Sequence, residues 1–83
     1  MEENRVALVA IIVEDPNSVE ALNALLHQYR QHIIGRMGLP YRERQISVIS
    51  VAMDAPVSVI NGLCGKLGMI PGVSAKSLCS KLP

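Results

Sequence analysis

The chain contains no phenylalanine and no tryptophan, and Tyr29 and Tyr41 are its only tyrosines. Without large aromatic anchors the core has to be built from aliphatic side chains. The aromatic platforms on which single-stranded nucleic acids stack are missing as well. Cysteine is equally scarce: Cys64 and Cys79 cannot supply a disulfide framework, and they read as two reduced thiols in a cytoplasmic protein. No apolar run approaches the roughly 20 residues of a membrane-spanning helix; the longest, "VALVAIIV", has eight. The opening "MEENR" is acidic where a secretory leader would be basic.

A strong charge of either sign is also lacking. Eight Lys and Arg stand against seven Asp and Glu, a net charge of +1. That argues against direct, electrostatically driven binding to nucleic acid. The balance is uneven along the chain, because no acid follows Asp54 whereas Lys66, Lys76 and Lys81 do.

Catalytic and metal signatures are absent too. There is no Ser-His-Asp or Cys-His pattern, no pair of carboxylates and no glycine-rich phosphate loop between a strand and a helix. "GLCGKLG" lacks the Gly-Lys-Ser/Thr ending of such a loop and falls inside a helical stretch. His27 and His32 are five residues apart, whereas two ligands on one helix face need a spacing of about three or four. The expectation is a non-enzyme with no cofactor and no metal, with surface histidines. Convergence of His27, His32, Cys64 and Cys79 across an interface stays open.

What the chain has in abundance is aliphatic surface: 49% of its 83 residues are hydrophobic. That length makes one domain, residues 1–83, too small to bury so much apolar surface alone. "RVALVAIIVED" reads as a strand apolar on both faces, with Val6, Leu8, Ala10 and Ile12 on one and Ala7, Val9, Ile11 and Val13 on the other. In "DPNSVEALNALLHQYR" the period changes, and Val19, Leu22, Leu25, Leu26 and Tyr29 recur at helical spacing. Asp15 or Asn17 suits the cap and Pro16 the first turn.

"HIIGRMGLPYRER" reads as an edge or bulged strand ending in a Gly-Leu-Pro turn, with Ile33, Gly35, Met37 and Leu39 on one face. "QISVISVAM" is a further strand apolar on both faces. "DAPVSVINGLCGKLG" is a second helix, with Asp54 as its cap, Gly68 as its stop, and Gly62 and Gly65 giving room for a close approach. A turn at Pro71-Gly72 leads to a last strand.

Shifting the first helix by 38 residues sets Val19 on Val57, Leu22 on Ile60, Asn23 on Asn61, Leu25 on Leu63 and Leu26 on Cys64. Two similar βαβ halves joined by a hairpin predict an α+β, ferredoxin-like βαββαβ sandwich. Its four-stranded antiparallel sheet carries both helices on one face. The other face is left bare and apolar, which predicts a homo-oligomer, dimer or tetramer, formed through it.

Two places are candidates for an effector or partner contact. Asp15 and Asn17 stand at the first strand-to-helix junction. Arg36, Arg42 and Arg44 hang on the hairpin, with Tyr41 as an adjacent stacking surface. Capping accounts for the first pair and solvation for the arginines, which would also blunt a sheet edge. An anionic small molecule or an acidic partner protein is the functional alternative.

Taken together, "IIGRMGLPYRER", "ISVISVAMDAP" and "GKLGMIPGVSAKS" resemble the family called putative iron-only hydrogenase system regulators, across essentially the whole chain. That family is similar to ACT domains and to the C-terminal domain of nickel-responsive repressors. The resemblance implies an ACT-like fold, oligomerisation and a regulatory role in the iron-only hydrogenase system. "EDPNS" lacks the loop glycine usual in amino-acid-binding ACT domains, and no DNA-binding segment fits in the chain, so any regulation of transcription is expected to run through another protein. The expectation is a cytoplasmic, oligomeric, effector-sensing regulator. Its rival is an assembly protein that binds a partner protein and senses nothing.

Overall fold

A computed structural model describes residues 3–82. The strand β1 (Asn4–Val13) pairs antiparallel with both β3 (Ile46–Pro56) and β4 (Val73–Cys79), and β2 (Ile33–Tyr41) adds on the far side of β3. The strand order is therefore β2-β3-β1-β4. Two helices, α1 (Val19–Gln28) and α2 (Val57–Gly68), complete the expected βαββαβ order. The α+β, ferredoxin-like architecture predicted from the two similar halves is what the chain forms.

Alternation along the central strands sets the layers. Ala7, Val9, Ile11 and Val13 of β1, with Ile49, Val51, Met53 and Ala55 of β3, point at the helices and are buried. Leu22 and Leu26 of α1 and Ile60, Leu63 and Leu67 of α2 close that core. At about 1.5–3 kcal/mol for each fully buried aliphatic side chain, this one cluster dominates stability. The opposite face is bare. Its cross-strand rows run Leu39–Val48–Ile12–Ser74, Met37–Ser50–Ala10–Lys76 and Gly35–Ala52–Leu8–Leu78. Large side chains flank a centre of Ala10, Ser50 and Ala52.

Several local expectations are corrected. The hairpin turn is not Gly-Leu-Pro: Leu39, Pro40 and Tyr41 pair with Val48, Ser47 and Ile46, and the chain reverses through a 3-10 turn, Arg42–Arg44. Pro40 is tolerated there because β2 is an edge strand whose outer N–H positions need no partner. Gln45 closes the turn in the left-handed region, at φ 56° and ψ 38°. A bulge between Ile33 and Gly35 also divides the apolar face assigned to β2. Ile33 faces the helices with Met53, whereas Met37 and Leu39 face away.

The caps moved as well. Asp15 Oδ1 accepts from the Asn17 N–H at 2.9 Å, capping a 3-10 turn, Pro16–Ser18, that leads directly into α1. Asp54 caps nothing, because the β1–β3 ladder runs on to the Asn4–Pro56 pair and α2 starts only after Pro56. Gly68 ends α2 without a left-handed turn, since Met69 follows in right-handed geometry. Gly62 gives room to the Tyr29 hydroxyl, 3.7 Å from where its Cβ would stand, whereas Gly65 faces nothing within 4 Å.

The left-handed glycine is Gly72, at φ +72°. There the turn before β4 is sewn to the loop after β1. The Glu14 N–H donates to Gly72 O at 2.7 Å and the Ser18 hydroxyl to Pro71 O at 2.6 Å. A Cβ on residue 72 would lie 2.7 Å from Asp15 Cβ. Gly72→Ala combines that collision with a left-handed penalty of about 1–2 kcal/mol. Urea denaturation should show a loss of at least that size. Gln45→Gly should do the opposite and raise the midpoint slightly, because relief of left-handed strain exceeds glycine's entropy cost of about 0.5–1 kcal/mol.

Candidate functional site

The bulge in β2 leaves a gap between α1 and the edge strand. Past it, Arg36, Gly38 and Pro40 face the helix side, too short or too polar to fill the layer. Depressions follow this gap from end to end. At the hairpin end, Val13, Pro16, Val19, Pro40, Tyr41 and Ile46 surround a cavity of about 270 Å³. Arg42, Gln45 and Ser47 supply its polar rim. An adjoining depression of about 220 Å³ shares Val19, Pro40 and Ser47 and extends over Gly38 to Arg36. At the far end Asn23, Leu26, His27, Arg30, Ile33 and Arg36 line a third, of about 260 Å³.

This arrangement divides the residues singled out from the sequence. Tyr41 and Arg42 come together in the hairpin-end cavity. The Tyr41 hydroxyl donates to Glu43 Oε2 at 3.1 Å, which fixes the ring at the cavity wall. Arg42 makes no side-chain hydrogen bond or ion pair among the described residues, so an unpaired guanidinium borders a mainly aliphatic hollow. Arg44 sits in the turn outside the lining. Asp15 and Asn17 are engaged with each other, and only Pro16 between them reaches the cavity. Arg36 belongs to the far end, where its Nη2 donates to Asn23 Oδ1 at 2.6 Å.

Gln45, Ser47 and Ile46 carried no sequence signal as lining residues, because their position depends on where the hairpin turns. His27 and Arg30 joined Arg36 only once the bulge was known. The metal-type residues do not gather: among the described residues no three His, Cys, Asp or Glu side chains form a group that could hold an ion. Cys64 of α2 and Cys79 of β4 are free thiols, both half-buried, on the side away from the gap. Burial pushes the Cys64 thiol above its ordinary value, with the Ser77 hydroxyl opposing and Cys79 adding to the rise.

Strand order, pairing and one-sided helices define a ferredoxin-like domain. The C-terminal domain of the MgtC protein from Mycobacterium tuberculosis shares that fold, with TM-score 0.75 over 99% of this chain and 94% of that one at 14% identity. The uncharacterized protein TM1266 from Thermotoga maritima is far more similar: TM-score 0.91 and 32% identity, over 95% of this chain and 100% of that one. A family model described as "TM1266-like: Iron-only hydrogenase system regulator, putative" matches residues 5–77, and the chain belongs to that family. No functionally curated protein matches it. Among the described residues no helix is long and apolar enough to cross a membrane.

The raised Cys64 value has two measurable consequences. At pH 8 its alkylation by iodoacetamide should be slower than that of a free thiol, because only the thiolate reacts. Unfolding in urea should restore the ordinary rate. A proton held more tightly in the folded chain contributes stability that is intact below the unfolded thiol value, roughly pH 8.5, and is lost as pH rises through the folded one. The difference in urea midpoint between the parent chain and Cys64→Ala should therefore shift against the parent between pH 8 and 10.

Proposed function

We propose that this chain is a non-catalytic, homo-oligomeric regulatory domain of the iron-only hydrogenase system. It works in the cytoplasm and senses a small organic anion in the Tyr41–Arg42 cavity. The family description supports regulation. The observation that carries the sensing reading is the cavity itself. An aliphatic wall with one unpaired cation at its rim suits a small ligand with an apolar body and a single anionic head. Its position matters as much, since β1, β3 and the hairpin all contribute to it, and closing on a ligand would act on the sheet directly.

The bare sheet face supports the oligomer. Val6, Leu8, Ile12, Met37, Leu39, Val48 and Leu78 are between 36% and 74% exposed. Together they form the kind of exposed apolar face that marks an interaction surface. Isolated soluble domains rarely leave so much uncovered. The small centre formed by Ala10, Ser50 and Ala52 lets a second copy's larger side chains seat between the flanking rows. A second copy is the occupant to expect, because the face is self-complementary in this sense and, among the described residues, its strands carry only Asp54 and Lys76 as charges.

Sedimentation should find a dimer or tetramer at micromolar concentration, and Leu8→Glu should yield a folded monomer. A monomeric parent chain overturns the oligomer. In a thermal-shift screen of amino acids, nucleotides and organic acids, one anionic class should raise the midpoint by several degrees. A ligand at 100 times its Kd stabilises by about 2.7 kcal/mol, and each kcal/mol moves a domain of this size by roughly 4–8 °C. Arg42→Gln should abolish that rise. Silence throughout the screen removes sensing and leaves the assembly reading.

A further inference from the structure

We infer that the far end of the gap, where Asn23, His27, Arg30 and Arg36 meet, is a second binding site, which takes the phosphate or carboxylate group of a small molecule. It stands apart from the Tyr41–Arg42 cavity and does not depend on the function proposed for it.

The bulge is the first argument. A one-residue slip in register sends every later side chain to the opposite face of a sheet, and bulges recur where a side chain has to be re-aimed. Here the extra residue, Ile34, turns Arg36 onto the helix side of β2, a layer otherwise filled by apolar groups. The guanidinium is then held by Asn23 of α1 at 2.6 Å. That bond uses one of its five donors. Arg30 is placed the same way, its Nη1 donating to His27 O at 3.0 Å. Neither arginine has a carboxylate partner among the described residues, and no acid lines the depression.

Two guanidinium groups beside a hollow of about 260 Å³ repel one another when it holds only water. An oxyanion reverses the sign of that interaction and meets the forked donors that arginine presents to phosphate and carboxylate. One effect opposes it: α1 ends here, and the last carbonyls of a helix carry roughly half a negative charge. Arg30 counters this directly by donating to one of those carbonyls.

Gly38 extends the site. It is not in left-handed geometry, and a Cβ there would meet nothing within 4 Å, so neither conformation nor packing requires glycine. It lies two residues beyond Arg36 on the same side of the strand and forms open floor between the basic end and the next depression, of about 220 Å³. A molecule whose anionic group sits between Arg30 and Arg36 can lay its remaining atoms along that floor.

The test is an amide-resolved NMR titration at constant ionic strength, with inorganic phosphate and with succinate as probes. Shifts should centre on Asn23 to Arg30 and Arg36 to Gly38, and saturate with a Kd in roughly the low-millimolar range for at least one probe, as befits a solvent-open site. The preferred probe identifies the anionic group. Arg30→Gln and Arg36→Gln should each weaken binding at these amides about fivefold or more, whereas Arg44→Gln should leave it unchanged. Arg30 and Arg36 are exposed, so both variants should keep the parent fold, and a matching amide spectrum verifies that. Failure of both probes to saturate, or saturation that survives both substitutions, overturns the site. Either failure leaves the Tyr41–Arg42 reading untouched, because Arg42 takes no part.

Discussion

Everything in this fold depends on the double pairing of β1. Its backbone is hydrogen-bonded to β3 along its whole length, Asn4 to Val13, and to β4 from Ala7 to Val13. Those ladders fix which side chains point at the helices, and one residue of slippage would exchange the core for the bare face. They also bring the start of β3, the start of β4 and the end of β1 to one edge, where Val13 pairs with both Ser47 and Val73. The Tyr41–Arg42 cavity lies at that edge. So does the seam between Asp15 and Gly72, which joins the two halves where no helix spans them.

The parts of the structure that are periodic were legible in the sequence. Alternation in "RVALVAIIV" and "ISVISVAM", and a 3.6-residue period in the helices, determine faces and layers, because burial acts on every second or every third-to-fourth residue alike. The matched pair Leu22 and Ile60 shows how far the faint repeat goes, since both are fully buried. Features that depend on one backbone decision were not legible. Nothing in "HIIGRMG" says which residue is extra, and a bulge at Ile34 reverses the faces of everything after it. Gly-Leu-Pro reads as the turn because glycine and proline commonly mark turns. An edge strand accepts both, and the reversal went to Arg-Glu-Arg-Gln instead. Of the candidate site, Tyr41 and Arg42 are neighbours in sequence, while Arg36 groups with them in sequence only because its bonded partner, Asn23, lies on another element.

The gap between α1 and β2 is where the molecule departs from close packing. An uninterrupted aliphatic face on β2 would let α1 settle onto it and close the layer. Arg36, Gly38 and Pro40 prevent this, each by a different means: charge, absence of a side chain, and a ring too short to reach. The result is a basic far end, an apolar middle and a further cation, Arg42, at the hairpin. Regulatory proteins need surfaces that are stable when empty, and the core beneath β1 and β3, with Ile33 of β2 packed against it, supplies that stability.

The scarcity of aromatic residues gives the protein a simple optical character. With no tryptophan, its near-ultraviolet emission comes from Tyr29 and Tyr41 alone. Tyr29 lies between the helices, 5.3 Å from the Lys66 ammonium at its ring face. Tyr41 stands at the cavity wall with its hydroxyl on a carboxylate, a partner that quenches phenol emission. One emitter therefore reports how the helices sit against each other, and the other reports on the hairpin. Replacing Tyr29 with phenylalanine would leave a chain whose whole intrinsic fluorescence originates at the cavity, a native sensor that needs no attached dye.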